Sequence, residues 1–285
     1  MIVRDPEKYA HHDRVFLNNP VVMQGMGLAP LVVLATTGKN ALMLAVSVAL
    51  LLTPSRMLAC LLSRAFPLRD EQPAKEELEK NYSIKVLTVQ ADVNAGADNE
   101  AVVNHVIEET LKEFGRIDVL INNAQASASG VPLAEHTTEQ FNLALYSGLY
   151  AAFYYMKACY PHLAKTKGSV INFASGAGLF GNFGQCAYAA AKEGIRGLTR
   201  VAATEWAKDG INVNIICPLA WTAQLEQFQK AYPDAFEKNV HTPPAGHFGD
   251  AELEIGRVCV QLASPDFKYM TGETLTLEGG LGQRP

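Results

Sequence analysis

Short apolar runs alternate with helix-like segments along most of the chain. Runs rich in Val, Ile and Leu occur at 31–35, 57–62, 85–90, 119–121, 170–173, 212–216 and 274–277. Segments with helical periodicity separate them, at 41–52, 101–114, 139–163, 187–208 and 251–262. Strands that are apolar throughout and alternate with helices are typical of βαβ units, in which helices cover both faces of a parallel sheet. We therefore predict an α/β fold with one doubly wound parallel sheet of six or seven strands.

Residues 1–29 precede this alternation and have no period of their own. Prolines and glycines interrupt them, at Pro6, Pro20, Gly25 and Gly27. We interpret 1–29 as an N-terminal extension and 30–285 as a single Rossmann-type domain.

The composition argues against two kinds of partner. Lys and Arg number 24 and Asp and Glu number 29, for a net charge of −5, so no general attraction to nucleic acid or anionic lipid is expected. The apolar stretch 31–52 reaches the roughly 20 residues of a membrane span. However, the turn-forming Thr37-Gly38-Lys39-Asn40 interrupts it, which favours a strand, a loop and a helix over a membrane anchor.

The cysteines indicate neither a disulfide framework nor a metal site. They are odd in number and widely separated, which favours free thiols in a cytoplasmic protein. They are Cys60, Cys159, Cys186, Cys217 and Cys259.

The predicted sheet has polar residues where several strands end, at the edge where doubly wound sheets bind ligands. Thr37-Gly38 follows the first strand and opens a helix, where backbone N–H groups and the helix dipole favour a pyrophosphate. Leu42 and Leu44 stand where a dinucleotide loop has further glycines, so an ordinary strand-to-helix turn explains this loop equally well.

Two later strands also end in short polar side chains. Asp92 follows one strand and Asn122-Asn123-Ala124 ends the next. Such groups could bind an adenine or a ribose, although Asn and Asp also favour turns for local reasons.

The choice of nicotinamide cofactor depends on the end of the second strand. An acid there binds the ribose 2′-hydroxyl, whereas an arginine accommodates a 2′-phosphate. Here the strand ends in Ser63-Arg64, and Lys39 lies in the first loop. These charges favour NADP(H) weakly over NAD(H).

Tyr188 and Lys192 are four residues apart in a predicted helix and therefore share one face. A nearby ammonium favours phenolate and should lower the tyrosine pKa from about 10, which suits a general acid. Ser175 ends an earlier strand at the same edge, where its hydroxyl could bind a substrate carbonyl oxygen. The structural alternative is an exposed Tyr/Lys pair and a serine in a turn.

From about Leu31 to Gly280 the sequence resembles the short-chain dehydrogenases/reductases. The shared motifs are Thr37-Gly38, Asp92-Val93, Asn122-Asn123-Ala124, Ser175, Tyr188 with Lys192, Pro218 and Glu278-Gly279-Gly280. The resemblance implies that Tyr188 is the acid/base, that Ser175 polarises the carbonyl, and that Lys192 lowers the tyrosine pKa. It also implies a homotetramer, an NAD(H) or NADP(H) cofactor and no metal. The implied cofactor contacts are Thr37, Gly38, Asn40, Leu42, Ser63, Arg64, Asp92, Val93, Asn123, Ala124, Tyr188, Lys192 and Pro218.

The sequence departs from the family pattern beside the expected nicotinamide. Gln125 and Leu219 stand where the family has glycines. Gly148 stands where the family has a helix asparagine that supports a proton-relay water. We expect the relay to be rebuilt from water or a backbone carbonyl.

The segment 220–249 is rich in aromatic residues, and in the family the matching stretch folds over the substrate. This implies a small hydrophobic ketone or alcohol as substrate. The aromatic residues are Trp221, Phe228, Tyr232, Phe236 and Phe248.

The loop Asn40–Met43 and the long extension are similar to those of bacterial 20β-hydroxysteroid dehydrogenases, which implies a 20-keto/20β-hydroxysteroid. Two alternatives stay open. One is a 3-oxoacyl thioester reductase, and the other is a catalytically silent nucleotide-binding regulator.

Overall fold

The computed structural model describes residues 72–93, 99–222, 225–226, 229–230 and 233–282. The predicted extension 1–29 and the predicted elements of 31–62 lie outside these residues. So do several predicted cofactor and substrate contacts, namely Thr37, Gly38, Lys39, Asn40, Leu42, Ser63, Arg64, Phe228 and Tyr232.

The described strands form one parallel sheet. They are β1 (Val119–Asn122), β2 (Ser169–Phe173), β3 (Asn212–Pro218) and β4 (Thr274–Leu277), and they are adjacent in that order. Asn122 pairs with Asn172, and Ile216 pairs with Leu275, with all neighbours parallel. The carboxyl ends of the strands therefore lie at one edge, and these four positions agree with the sequence-based prediction.

Helices connect the strands. In chain order they are α1 (Gln72–Tyr82), α2 (Asn99–Phe114), α3 (Thr138–Ala144), α4 (Ala151–Thr166), α5 (Gly176–Phe180), α6 (Cys186–Trp206), α7 (Pro233–Asn239) and α8 (Arg257–Leu262). A π-helical turn, Leu145–Tyr150, joins α3 to α4, and a second, Ala251–Gly256, precedes α8.

Apolar side chains cover both faces of the sheet. On one face Leu120 and Val170 pack with Val106 of α2 and with several residues of α4. On the other face Ile121 and Ile171 pack with residues of α8. Successive strand residues point to opposite faces, so this alternation buries every residue of β1 and β2. The doubly wound arrangement predicted from the sequence is confirmed.

Residues 85–90, predicted as a strand, have no strand assignment in the structure. The alternating pattern reports burial of one face, and Val89 indeed packs against the core. A strand also needs a hydrogen-bonded neighbour, and 85–90 pairs with no strand of the described residues. The sequence analysis did not predict α1, α5 or α7.

Helix α6 packs against β2 and β3 and closely on the π-helical turn. A Cβ added at Gly194 would lie 2.7 Å from Cδ2 of Leu149, so the glycine allows this approach. The start of α6 is held in the same way, because a Cβ at Gly184 (φ +69°) would lie 2.8 Å from Cα of Gly130. The two glycines thus bring the first turns of α6 to the edge where β1 and β2 end.

Candidate active site

Ser175 lies just beyond β2 and caps α5. Its backbone is extended, and its Oγ accepts a hydrogen bond from the Ala177 N–H at 3.1 Å. A serine in this position caps the exposed N–H groups of a helix start. The cap fixes the hydroxyl at the carboxyl edge of the sheet.

Tyr188 and Lys192 reach Ser175 from the first turns of α6. The side chains of Tyr188 and Ser175 are hydrogen-bonded to each other. Nζ of Lys192 lies 5.4 Å from the centroid of the Tyr188 ring. Lys192 is only 4 % exposed, and its ammonium donates to the Phe173 carbonyl at 2.7 Å. The structure therefore brings together the three side chains that the sequence analysis singled out.

Burial changes the proton affinity of both groups. It lowers the pKa of Lys192 from 10.5 to about 8, because the ammonium has lost most of its water. It raises the pKa of the Tyr188 phenol for the same reason, whereas the hydrogen bond to Ser175 lowers it. The net direction for Tyr188 is upward, which differs from the sequence-based expectation. That expectation considered the nearby charge and left out the desolvation of the phenol.

Arg196 continues the same face of α6 and was missed by the sequence analysis. It is 3 % exposed and donates to Thr274 of β4 at 2.9 Å and to Sγ of Cys217 at 3.6 Å. It also forms an ion pair with Glu193 at 3.0 Å. Arg196 therefore links α6 to Cys217 near the end of β3 and to the first residue of β4. The spacing of four residues from Lys192 was the signal that could have revealed it.

The loop after β1 is also attached to the start of α6. Ser129 Oγ donates to the side-chain oxygen of Gln185 at 3.1 Å, and the Gly130 N–H donates to the Gly184 carbonyl at 2.8 Å. Because Gln185 directly precedes α6, these bonds couple the position of the loop to that of Tyr188.

The predicted cofactor contacts Asn123 and Ala124 directly follow β1 and are partly exposed. Asn122 has a structural role instead. Its amide donates to Asn172 at 2.8 Å, and Asn172 donates in turn to Thr199 of α6 at 2.8 Å. This buried chain of hydrogen bonds joins β1, β2 and α6 beneath the site.

The remaining described contacts differ in their exposure. Asp92 is exposed, and Pro218 at the end of β3 is partly exposed. Val93 is fully buried. Asn123, Pro218 and the Lys192 ammonium lie near the carboxyl ends of β1, β3 and β2, where they provide an amide, an apolar surface and a donor. Such a set suits the ribose, amide and ring of a nicotinamide dinucleotide.

The aromatic segment 220–249 leaves the sheet after β3 and returns to it. Ala220 bridges Gly249, and the Trp221 N–H donates to the Gly249 carbonyl at 3.0 Å. The Trp221 ring lies 5.5 Å from that of Phe248 and 6.2 Å from that of Phe236. Three of the predicted aromatic residues therefore form a cluster on the side of the site where β3 ends.

Two features are absent from the described residues. None of their helices combines the length and the hydropathy needed to cross a bilayer. No group of three or more His, Cys, Asp or Glu side chains within these ranges could hold a metal ion.

Comparisons with known proteins agree with this geometry. The sequence model of a family described as "Enoyl-(Acyl carrier protein) reductase" matches residues 66–282. A 12alpha-hydroxysteroid dehydrogenase from Clostridium sp. is 68 % identical over 220 residues, which are 76 % of this chain and 85 % of the relative. A 3-oxoacyl-[acyl-carrier-protein] reductase from Thermotoga maritima is 33 % identical over 63 % of this chain and 72 % of the relative.

Solved structures are similar as well. ElxO with NADP bound has a TM-score of 0.65 at 30 % identity, covering 73 % of this chain and 83 % of its own. The Cj0485 dehydrogenase has a TM-score of 0.68 at 27 % identity, covering 75 % and 82 %. The chain therefore belongs to the short-chain dehydrogenase/reductase family and is an oxidoreductase of CH–OH and C=O groups that uses NAD(H) or NADP(H).

Proposed function

We propose that this protein is a hydroxysteroid dehydrogenase that interconverts a steroid 12α-hydroxyl and the corresponding 12-ketone. The observation that carries the chemistry is the hydrogen bond between Tyr188 and Ser175 beside the buried Lys192 ammonium. The observation that supports the substrate is the 68 % identity to a relative named for that activity. The 20-keto/20β-hydroxysteroid predicted from the loop 40–43 is the second steroid candidate.

In this proposal Tyr188 is the general acid and base. Its phenol donates a proton to the carbonyl oxygen during reduction and takes one from the alcohol during oxidation. Ser175 donates a hydrogen bond to the same oxygen as negative charge develops there. When bound, the nicotinamide supplies or accepts the hydride. Lys192 is cationic below a pH of about 8 and favours release of the phenol proton.

The cofactor contacts remain part of the proposal. We propose that the dinucleotide contacts Asp92, Val93, Asn123, Ala124 and Pro218. The first loop and the end of the second strand would complete it, through Thr37, Gly38, Asn40, Leu42, Ser63 and Arg64.

Cofactor preference has its own test. Arg64 and Lys39 favour NADP(H) because a cation at the end of the second strand accommodates a 2′-phosphate. Arg64→Asp should lower the ratio of kcat/KM for NADPH to that for NADH. An unchanged ratio would show that Arg64 does not determine the preference for NADPH.

The test of the substrate is a panel of ketosteroids that differ only in the position of the ketone. Steroids with a ketone at C3, C7, C12 or C20 are offered with NADPH or NADH, and loss of the reduced nicotinamide absorbance is followed. The product is identified by chromatography against 12α- and 12β-hydroxy standards. Fast turnover at C12 with a 12α product supports the proposal, whereas preference for another position contradicts it.

Tyr188→Phe tests the residue assigned to proton transfer. It removes only the phenolic oxygen, so we expect turnover to fall by about 10²-fold or more while cofactor affinity stays near that of the wild type. Tyr269→Phe is the matched control, because Tyr269 is fully exposed. Turnover retained in Tyr188→Phe would refute the acid/base assignment.

A second candidate activity is the reduction of a 3-oxoacyl thioester, supported by the 33 % identity to the Thermotoga maritima reductase. Acetoacetyl-CoA in the same assay discriminates the two. If acetoacetyl-CoA is turned over faster than every steroid in the panel, the thioester reductase is favoured.

The proposal includes a cytoplasmic homotetramer in which 30–285 is the catalytic domain and 1–29 an extension. Tyr150 and Phe153 near the start of α4, and Val201 on α6, are exposed apolar side chains that an assembly could cover. Sedimentation velocity of the full chain and of a variant lacking 1–29 tests the oligomer and the role of the extension.

A further inference from the structure

Glu278 directly follows β4, and its carboxylate lies against the start of α5. A Cβ added at Gly176 would overlap with Oε1 of Glu278 and would lie 3.2 Å from its Cδ and 3.4 Å from its Oε2. Because glycine has no Cβ, the carboxylate fills the space in which any other residue at 176 would have its side chain. The side chain of Glu278 therefore contacts the backbone of the residue that follows Ser175.

The carboxylate is enclosed on its other side as well. Glu278 is only 7 % exposed. A Cβ added at Gly282 would overlap with Oε2 of Glu278 and would lie 2.8 Å from Cβ of Thr276. With the backbone of a glycine on each side, the carboxylate has little room to turn away from Gly176.

The backbone of Glu278 is held by the end of the aromatic segment. The Leu281 N–H donates to the Glu278 carbonyl at 3.1 Å and closes a turn, and the Ala245 N–H donates to the Gly279 carbonyl at 2.9 Å. A Cβ added at Gly279 would lie 2.8 Å from Cβ of Pro243. The turn that contains Glu278 is therefore packed against the end of the aromatic segment while its carboxylate contacts α5.

A second carboxylate contacts the other glycine of α5. A Cβ added at Gly178 would lie 2.6 Å from Oε1 of Glu193, which is held by its ion pair with Arg196. Helix α5 is thus bounded by an acid from α6 and by an acid from the end of β4. A helix of five residues gains little stability from its own hydrogen bonds, so its position depends on such contacts.

The position of α5 determines where the Ser175 hydroxyl lies. Its Oγ accepts from the Ala177 N–H at 3.1 Å and is hydrogen-bonded to Tyr188. Gly176 is the residue between Ser175 and Ala177, so a shift of Gly176 changes both hydrogen bonds. Reacting groups must be held within about 0.5 Å of their productive geometry.

We propose that Glu278 is a positioning residue, whose carboxylate holds Gly176 and thereby places the Ser175 hydroxyl for its hydrogen bond to the substrate oxygen. Glu278 acts through Ser175 and takes no part in the transfer of the proton or the hydride. The inference rests on the proposed function.

Gly176→Ala and Glu278→Asp form a complementary pair of variants. Gly176→Ala places a methyl group against the carboxylate, so Ser175 should shift and kcat should fall by about tenfold with the KM for the cofactor unchanged. Glu278→Asp withdraws the carboxylate by one methylene, and kcat should fall by about threefold. In the double variant the methyl group takes the vacated space, and kcat should return to within about twofold of the wild type.

The pH profile separates positioning from a general loss of structure. Burial raises the pKa of the Tyr188 phenol, and the hydrogen bond to Ser175 opposes this rise. If Gly176→Ala weakens that bond, the pKa rises further, and the midpoint of the pH profile for alcohol oxidation, which needs the phenolate, should move to higher pH. Lys192 and Cys217, the other ionisable groups that act on the phenol, are unchanged in the variants. A smaller folded fraction lowers the rate at every pH without moving the midpoint.

Gly197→Ala is the matched control, because a Cβ at this position of α6 would have no heavy atom within 4 Å. It should keep the kcat and the pH midpoint of the wild type. The inference is overturned if Gly176→Ala keeps both values, or if the loss of kcat in the double variant is the product of the two single losses. If Gly176→Ala does not fold, Glu278→Asp decides, and a wild-type kcat and midpoint in that variant overturn the inference.

The outcome is separable from that of the proposed function. If the wild type reduces a thioester instead of a steroid, the same measurements apply with that substrate. If it reduces neither, the proposed function fails, and crystal structures of the wild type, Glu278→Asp and the double variant decide the inference. A displacement of Ser175 Oγ from Tyr188 by about 0.5 Å or more in Glu278→Asp, reversed in the double variant, supports it, and an unmoved Oγ overturns it.

Discussion

Replacing Lys192 by methionine should make the protein more stable and inactive. Burial lowers the pKa of Lys192 from 10.5 to about 8. That difference corresponds to about 3 kcal/mol by which the folded protein disfavours the ammonium at neutral pH. Methionine has a similar length and no charge, so it avoids this cost. It also leaves the Phe173 carbonyl without its 2.7 Å partner, which costs about 1–3 kcal/mol.

The sum is a gain of about 1 kcal/mol in the free energy of unfolding at pH 7, or about 2–4 °C in Tm. The gain should depend on pH with a defined sign. Between pH 8 and 10.5 the unfolded wild type holds the Lys192 proton and the folded protein does not, so wild-type stability rises with pH relative to the variant. The advantage of Lys192→Met is therefore expected near pH 7 and should reverse by about pH 10.

Urea unfolding of both proteins, followed by tryptophan fluorescence at pH 7, 8, 9 and 10, measures these differences. Lys165→Met is the matched control, because Lys165 is exposed on α4. It should differ little from the wild type at any of these pH values. A Lys192→Met protein that is less stable than the wild type at pH 7, or a difference that stays constant up to pH 10, would refute the reasoning.

Three further predictions concern single contacts. Asn172→Ala leaves the buried amide of Asn122 unpaired and should lower the free energy of unfolding by about 1–3 kcal/mol in urea titrations, and an unchanged value would contradict a role for this bond. Gly184→Ala places a Cβ 2.8 Å from a facing Cα at a φ of +69° and should lower both Tm and kcat, whereas a loss of neither would show that the loop adapts freely. Glu254→Gln removes the partner that raises the pKa of His247, so the NMR titration of His247 should move to lower pH, and an unmoved curve would discount this ion pair.

Much of the fold could be predicted because burial is visible in the sequence. β1, β2 and β3 are rich in Val and Ile and are buried at every residue except the last of β3, since helices cover both faces, and β4 lies where the sequence placed it. The π-helical turn Leu145–Tyr150 could not be predicted from a period of 3.6 residues, because one extra residue shifts the register without removing apolar positions. Among the described residues no strand pairs with 85–90, and the pattern there records which face is buried but not whether a hydrogen-bonded neighbour is present.

Part of the candidate site could likewise be predicted from the sequence, and part could not. Tyr188 and Lys192 share a helix face by their spacing, and Ser175 follows a strand, so local geometry was sufficient to bring them together. Arg196 and the carboxamide of Gln125 depend on contacts between distant segments, with β4 in one case and with the π-helical turn in the other. No local sequence pattern indicates such contacts. The glycine at 148 is the one sequence sign of the contact between Gln125 and the π-helical turn.

The proton affinities of the site show why Ser175 matters as much as Lys192. Burial raises the pKa of the phenol and lowers that of the ammonium, so desolvation makes proton release harder for Tyr188 and easier for Lys192. A cation that is easily neutralised is a weak aid to phenolate formation above pH 8. The hydrogen bond from Ser175 opposes the effect of burial on the phenol at every pH, because a hydroxyl keeps its proton. We therefore expect the serine, and not the lysine alone, to limit how far burial raises the pKa of Tyr188.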